Sequence, residues 1–420
     1  MTSKIVAAAT LAALAICILT LSANAGDDTD AESSPDATIG LTNFQAAATV
    51  VGQPDFSHKS SNQGMGGPAA DTISAPYGNQ SVGSNGVLYL GDYSNQRVLG
   101  FLTFPAADDA SANFVLGQPD LNTRGKGDAA DQFGGPETTV AYKKMLFVDD
   151  YSNSRVLIWK NAPTANQAAA DLVVGQAGFG SSGFSCSATG MNFPETVEVA
   201  GGKLLVGDSS NNRVLIWKKI PKANGTSPSI VLGQTNLTTC VKNNNGSGTS
   251  GATSANNLDY PAGIWSDGKR LVVADGNNNR VLIWKKFPKK SFQKADIVLG
   301  QPDLTSNVKD NDGTGVSGAP SAKNMYFPYI GVYSNGTQLF VTDNSNSRIL
   351  IWNHFPTHNF TPADVVLGQP SFTCGVTDND GTGCTSGASS AKNLNSPTGI
   401  YQFKNHLIVT DNGDNRYLIF

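Results

Sequence analysis

Six times along the chain a proline precedes a short apolar run, and the residue after that proline varies between copies: Tyr77, Glu137, Glu195, Ala262, Tyr329 and Thr398. Two carboxylates and two phenols at one recurring place could hold a polar ligand or a cation if that place faces a common space. The same residues could equally be solvated side chains with no ligand. Histidine, the usual general base and metal ligand, is missing from these runs, since His58, His354, His358 and His406 all lie elsewhere. No serine nucleophile elbow, phosphate loop or paired-histidine metal motif occurs.

A second set of oxygen-bearing residues sits in glycine-rich stretches. These are Asn243 to Gly248, Asp310-Asn-Asp312-Gly313-Thr-Gly315 and Asp378-Asn-Asp380-Gly381-Thr-Gly383. Alternating Asp and Asn before glycine resembles the opening of a calcium loop, where side-chain oxygens converge on a hard cation. The glutamate that closes such a loop is absent, so Asp310, Asp312, Asp378 and Asp380 make thin sites. Either calcium binds there, or the amides of an Asx-rich turn face the carboxylates. The second is the expectation, with calcium as the one possible cofactor.

The elements that must position these residues repeat. The motif Val/Leu-Gly-Gln ends at Gln53, Gln118, Gln176, Gln234, Gln301 and Gln369. An Asp, Asn, Arg motif closes on Arg97, Arg155, Arg213, Arg280, Arg348 and Arg416, in steps of 58, 58, 67, 68 and 68 residues. In the last copy the Asn is read as Asn415, shifted by one. Fixed-period self-similarity implies one supersecondary unit repeated. Unit four shows four β-branched or aromatic runs bounded by Gly, Asn, Asp and Pro: strand A after Pro261, strand B Arg270 to Asp275, strand C Arg280 to Trp284 and strand D Ala295 to Gln301. No mature segment carries a helical period. Six four-stranded antiparallel units make an all-β, six-bladed β-propeller over residues 48–420. The sixth unit lacks its own strand D, and the spare copy at Ala48 to Gln53 is expected to close the ring and hide the edge.

The residues Leu-x-Val-x-Asp-x-x-Asn-x-Arg-Val-Leu-x-Trp resemble the NHL repeat over roughly residues 48–420. That resemblance implies a propeller used as a binding platform. It implies little about a ligand, because the motif is the frame of each blade. Six near-identical Asp-x-x-Asn-x-Arg copies are read as structural, since a single site on a pseudo-symmetric ring needs asymmetry. Phe101, Trp159, Trp217, Trp284, Trp352 and Phe420, which end strand C, are expected to pack between blades.

The formal charge of −4, with 15% charged residues and no basic field, argues against nucleic acid. Residues 1–25 read as a secretory signal, with a basic start, an apolar run and Ala23-Asn24-Ala25. Residues 26–47 read as a flexible acidic leader. Export leaves four cysteines, an even count that suggests disulfides. Cys374 and Cys384 flank one loop and pair locally; Cys186 and Cys240 lie in successive loops and could staple neighbouring blades.

The expected protein is a secreted, periplasmic or cell-surface monomer with no membrane span in the mature chain. It binds a protein, peptide or glycan through its loop face without catalysis. The alternative is a propeller enzyme, a lyase or lactone hydrolase, that uses a channel metal.

Overall fold

The computed structural model describes residues 37–420. The signal segment and the first part of the leader lie outside the described residues. The chain forms six four-stranded antiparallel sheets, and the inner strands of successive blades lie side by side. This is the six-bladed propeller that the repeat implies. The inner strands A of blades two to six span Pro136–Tyr142, Pro194–Ala200, Pro261–Ser266, Pro328–Ser334 and Pro397–Phe403; that of blade one is short, Ser81–Val82. Strands C (Arg155–Trp159 and its five counterparts) are buried at every residue. Their β-branched and aromatic side chains pack between sheets, and each fully buried one contributes ~1.5–3 kcal/mol.

The Asp and Arg side chains of the Asp-x-x-Asn-x-Arg turns are fully buried. Arg97 Nε lies 2.7 Å from Asp92 Oδ2, both fully buried, and the pair recurs in every blade at 2.6–2.8 Å. The other guanidinium N–H groups donate to carbonyls of the D–A loop, as Arg280 does to Leu304, Ser254 and Asn257. A buried ion pair stands only when its remaining donors are met, and here they are. In blade six the Asn position is taken by Asp414, not Asn415. Asp414 is fully buried with its Oδ2 3.0 Å from Arg416 Nη2. Asn415 instead occupies the left-handed position, φ 52°, that Gln96 and Ser154 hold in blades one and two.

Closure occurs where expected, and it involves more chain than expected. Thr49–Val51 pairs antiparallel with Arg416–Ile419, Val50 opposite Leu418. The preceding residues 37–47, expected to belong to a flexible leader, are packed. Ile39, Leu41 and Ala47 are buried in the blade five–six core, and Gln338 makes two backbone bonds to Ile39. Asn43-Phe44 reproduces the C–D turn that blade six lacks. Its Asn43 Oδ1 accepts the Val366 N–H at 3.0 Å, as Asn359 accepts that of Val298 one blade earlier. Phe44 lies against Gly381 just as Phe360 lies against Gly313.

Cys186 is bonded to Cys240 and Cys374 to Cys384, the first staple joining successive loops and the second closing one loop. No helix of the described residues is long and apolar enough to cross a membrane.

Candidate functional site

The recurring proline places the variable residue by a common device. In strand A of blade three Pro194 pairs with Asp208 and Thr196 with Gly207, so Glu195 is the extra residue of a bulge. Register breaks at the same place in blades two, four, five and six. A bulge turns its unpaired residue out of the ladder. Gly91 allows blade one to approach this point, since a Cβ there would stand 2.6 Å from the Glu137 carbonyl. The residue before each proline takes a left-handed backbone, φ 49° at Phe193, 62° at Tyr260 and 54° at Phe327. Bulky residues rarely adopt this. Each is held by an amide bond to the previous blade's turn, from Phe193 N to Ser154 Oγ, Tyr260 N to Asn212 Oδ1 and Phe327 N to Asn279 Oδ1.

These devices gather Tyr77, Glu137, Glu195 and Tyr329 into one cluster. Glu137 and Glu195 are 2% and 1% exposed and lie within hydrogen-bonding reach of each other. Tyr260 donates its hydroxyl to Glu195 Oε1, and Tyr329 also bonds Glu195. Oε2 of each glutamate meets no amide, hydroxyl or cationic donor, and neither does Oδ2 of the neighbouring Asp149 nor Oγ1 of Thr196 or Thr398. Two carboxyls so placed keep a proton between them. Burial, then the charges of Glu195 and Asp149, push Glu137 well above the usual carboxylate range. Burial raises Glu195 to about 7, while bonds from Tyr260, Tyr329 and Glu137 hold it down. Glu137 is therefore the donor of the pair. Among the described residues no cation acts on either glutamate.

Above the pair stands a collar of half-buried aromatic rings. Tyr77 and Tyr93 have ring centroids 5.2 Å apart, Tyr93 and Tyr151 6.1 Å, Tyr260 and Phe327 6.1 Å, Phe327 and Tyr329 5.3 Å, and Tyr329 and Tyr77 6.4 Å. A bond between the Tyr151 and Tyr260 side chains closes the circuit. Burial raises the phenol pKa of Tyr77, Tyr93, Tyr151, Tyr260 and Tyr329, with the glutamate charges adding to the rise. All five tyrosines therefore stay neutral donors at physiological pH. Phe193 stacks on Tyr151 at 4.8 Å, and the exposed Phe184 stacks on Phe193 at 6.2 Å. An aromatic track thus runs from the loop rim to the collar.

Tyr93 and Tyr151 come from B–C turns and Tyr77, Phe193, Tyr260 and Phe327 from the ends of D–A loops, so both sets of connections share this face. Sequence reading found the acids and two tyrosines but missed Tyr93, Tyr151, Tyr260 and Phe327. Tyr93 and Tyr151 hide inside the repeated Asp-x-x-Asn-x-Arg turn, where blades three to six carry Ser209, Gly276, Asn344 and Asn412. That departure was the available signal.

The acidic loops are arranged differently. Asp312 and Asp380 each accept the amide and hydroxyl of the residue two further on, Thr314 and Thr382. Asp310 accepts Asn346 Nδ2 at 2.9 Å, and Asp378 accepts Lys59 Nζ at 2.9 Å. The carboxyls thus face amides, hydroxyls and one ammonium, and Asp378 also lies within hydrogen-bonding reach of the Asp414 carboxyl. Among the described residues no group of three His, Cys, Asp or Glu side chains is arranged to hold a metal ion.

No family model matches the chain, and no curated protein does. Among solved structures, the chain is similar to a structural genomics protein of unknown function from Bacteroides thetaiotaomicron, with 12% identity, a TM-score of 0.47, and 90% of this chain and 75% of that one covered. It is also similar to the computationally designed Ika8 protein, with 8% identity, a TM-score of 0.37, and 90% and 99% covered. At these values neither likeness bears on function.

Proposed function

We propose that the protein is a secreted, NHL-like propeller that binds a protein, peptide or glycan at the aromatic collar on its loop face, without catalysis. The observation that carries this reading is the placement of two buried carboxyls with unmet oxygens beneath half-buried rings. A purely structural ring gains nothing from burying two acids that each leave an oxygen without an N–H or hydroxyl partner, which costs stability. Aromatic rings with one polar edge supply contact area at small entropic cost, which suits a binding surface. Variation at the collar, set against six near-identical frames, gives the asymmetry that a single site needs. The two disulfides support an oxidising compartment.

Peptide and glycan arrays probed with the mature protein test this. Hits should vanish with Tyr151→Ala or Tyr77→Ala while the melting midpoint holds. They should survive Lys289→Ala and Lys290→Ala on the C–D turns, and loss through those lysines alone would move the site to the opposite face. A carboxyl with a pKa of about 7 is also what a general base needs, which favours a second reading, a propeller enzyme of the lyase or lactone hydrolase class. Turnover of an array ligand, abolished by Glu195→Gln, would establish that reading instead.

A further inference from the structure

The charge at the base of the collar narrows the ligand. Glu137 and Glu195 sit on adjacent inner strands, with Asp149 behind them on strand B of blade two. The titratable groups that face them are Tyr77, Tyr93, Tyr151, Tyr260 and Tyr329, none of which brings a positive charge. Once Glu195 loses its proton, the pair, with Glu137 still protonated, carries one negative charge buried with no counter-ion, which is costly unless a ligand supplies one. Tyrosine faces attract cations through the ring quadrupole. The unmet Oε2 atoms accept hydrogen bonds and cannot donate once ionised. A neutral sugar would satisfy the rings but leave the buried charge uncompensated. A hard metal ion wants about six to eight converging oxygens and has no use for ring faces.

We propose that the collar and the carboxyl pair form a receptor for an ammonium group, a protonated primary or methylated amine that the ligand presents to the channel mouth. The inference rests on the collar being the binding site. The ammonium lies among the ring faces, and ionised Glu195 beneath it, hydrogen-bonded by Glu137, is its counter-charge. Below pH 7 binding therefore expels the Glu195 proton. Because burial holds Glu195 near 7, affinity rises about tenfold between pH 6 and pH 8.

The test uses n-butylamine as the probe and n-butanol as its neutral counterpart, by calorimetric titration and thermal shift on the mature protein. Butylammonium should bind and raise the midpoint, with heats that depend on buffer ionisation at pH 6.5 because a proton is released. Butanol should do neither. Glu195→Gln keeps the shape and removes the charge, and should weaken butylammonium at least tenfold; Tyr151→Phe, which keeps the ring, should weaken it far less. Equal binding of butanol, or unchanged affinity in Glu195→Gln, overturns the proposal. If butylammonium does not bind while a neutral array ligand is still lost with Tyr151→Ala, the ammonium assignment fails and the collar stands as the site. If Tyr151→Ala changes no array ligand either, the site itself is wrong and the ammonium assignment fails with it.

Discussion

Replacing Glu195 with glutamine should stabilise the protein at pH 8 by about 3 kcal/mol more than it does at pH 4. Burial raises the Glu195 pKa from the ordinary 4.5 to about 7 in the folded protein, and each pKa unit is worth ~1.4 kcal/mol. The folded state thus holds the proton more tightly than the unfolded chain. The stability that this gives the wild type is full below pH 4.5 and is lost as the pH climbs through 7. Glutamine does not titrate, so its curve lacks that loss, and its amide oxygen can still accept from the Glu137 carboxyl. For a chain of this length, ~3 kcal/mol corresponds to roughly 3–6 °C in the midpoint. Scanning calorimetry of wild type and variant at pH 4.5, 6 and 8 reads the difference directly. A gap that stays constant across that range, or that is widest at pH 4.5, refutes a buried carboxyl pair that shares a proton.

Other parts of the fold make their own claims. Asn43→Ala leaves the fully buried Val366 N–H without its acceptor and should cost about 1–3 kcal/mol in chemical denaturation; an unchanged midpoint would show that the borrowed turn is dispensable to closure. Asp414→Asn restores the residue type of the other five blades and removes a carboxyl that faces Asp378 and Asp411. It should raise the melting midpoint at pH 8, and a lower midpoint would mean that Arg416 depends on the second carboxylate. Calcium at millimolar concentration should leave the midpoint unchanged, because Asp312 and Asp380 already hold amides and hydroxyls of their own turns. A rise that Asp380→Asn abolishes would put a cation in those loops.

The frame of this molecule is plain in its sequence because it is repeated. A buried Asp–Arg pair must be built the same way in each blade, so Asp92 to Arg97 and its counterparts announce themselves. The disulfides followed from where the cysteines fall between strands. Closure by Thr49–Val51 followed from the spare Val-Gly-Gln. The turn before it did not, because Asn43-Phe44-Gln-Ala-Ala-Ala matches Asn359-Phe360-Thr-Pro-Ala-Asp only weakly and follows an acidic stretch. Asp414 was mistaken for a filler because Asn415 beside it had the expected residue type. The collar was half legible. Its acids and two tyrosines stand at one register of strand A, but Tyr93, Tyr151, Tyr260 and Phe327 come from turns on four blades. Their meeting depends on left-handed residues and bulges that pattern alone does not reveal.

Infrared spectroscopy of the carboxyl C=O stretch reads the proton held between Glu137 and Glu195 beneath the collar at neutral pH. The wild type at pH 7 minus the Glu137→Gln/Glu195→Gln double variant should leave a protonated-carboxyl band in the difference, removing the signal of the protein's other buried acids. That band should weaken as the pH is raised through 7 and Glu195 ionises, leaving the Glu137 proton. A flat difference spectrum at pH 7, with both glutamates ionised, would contradict the account.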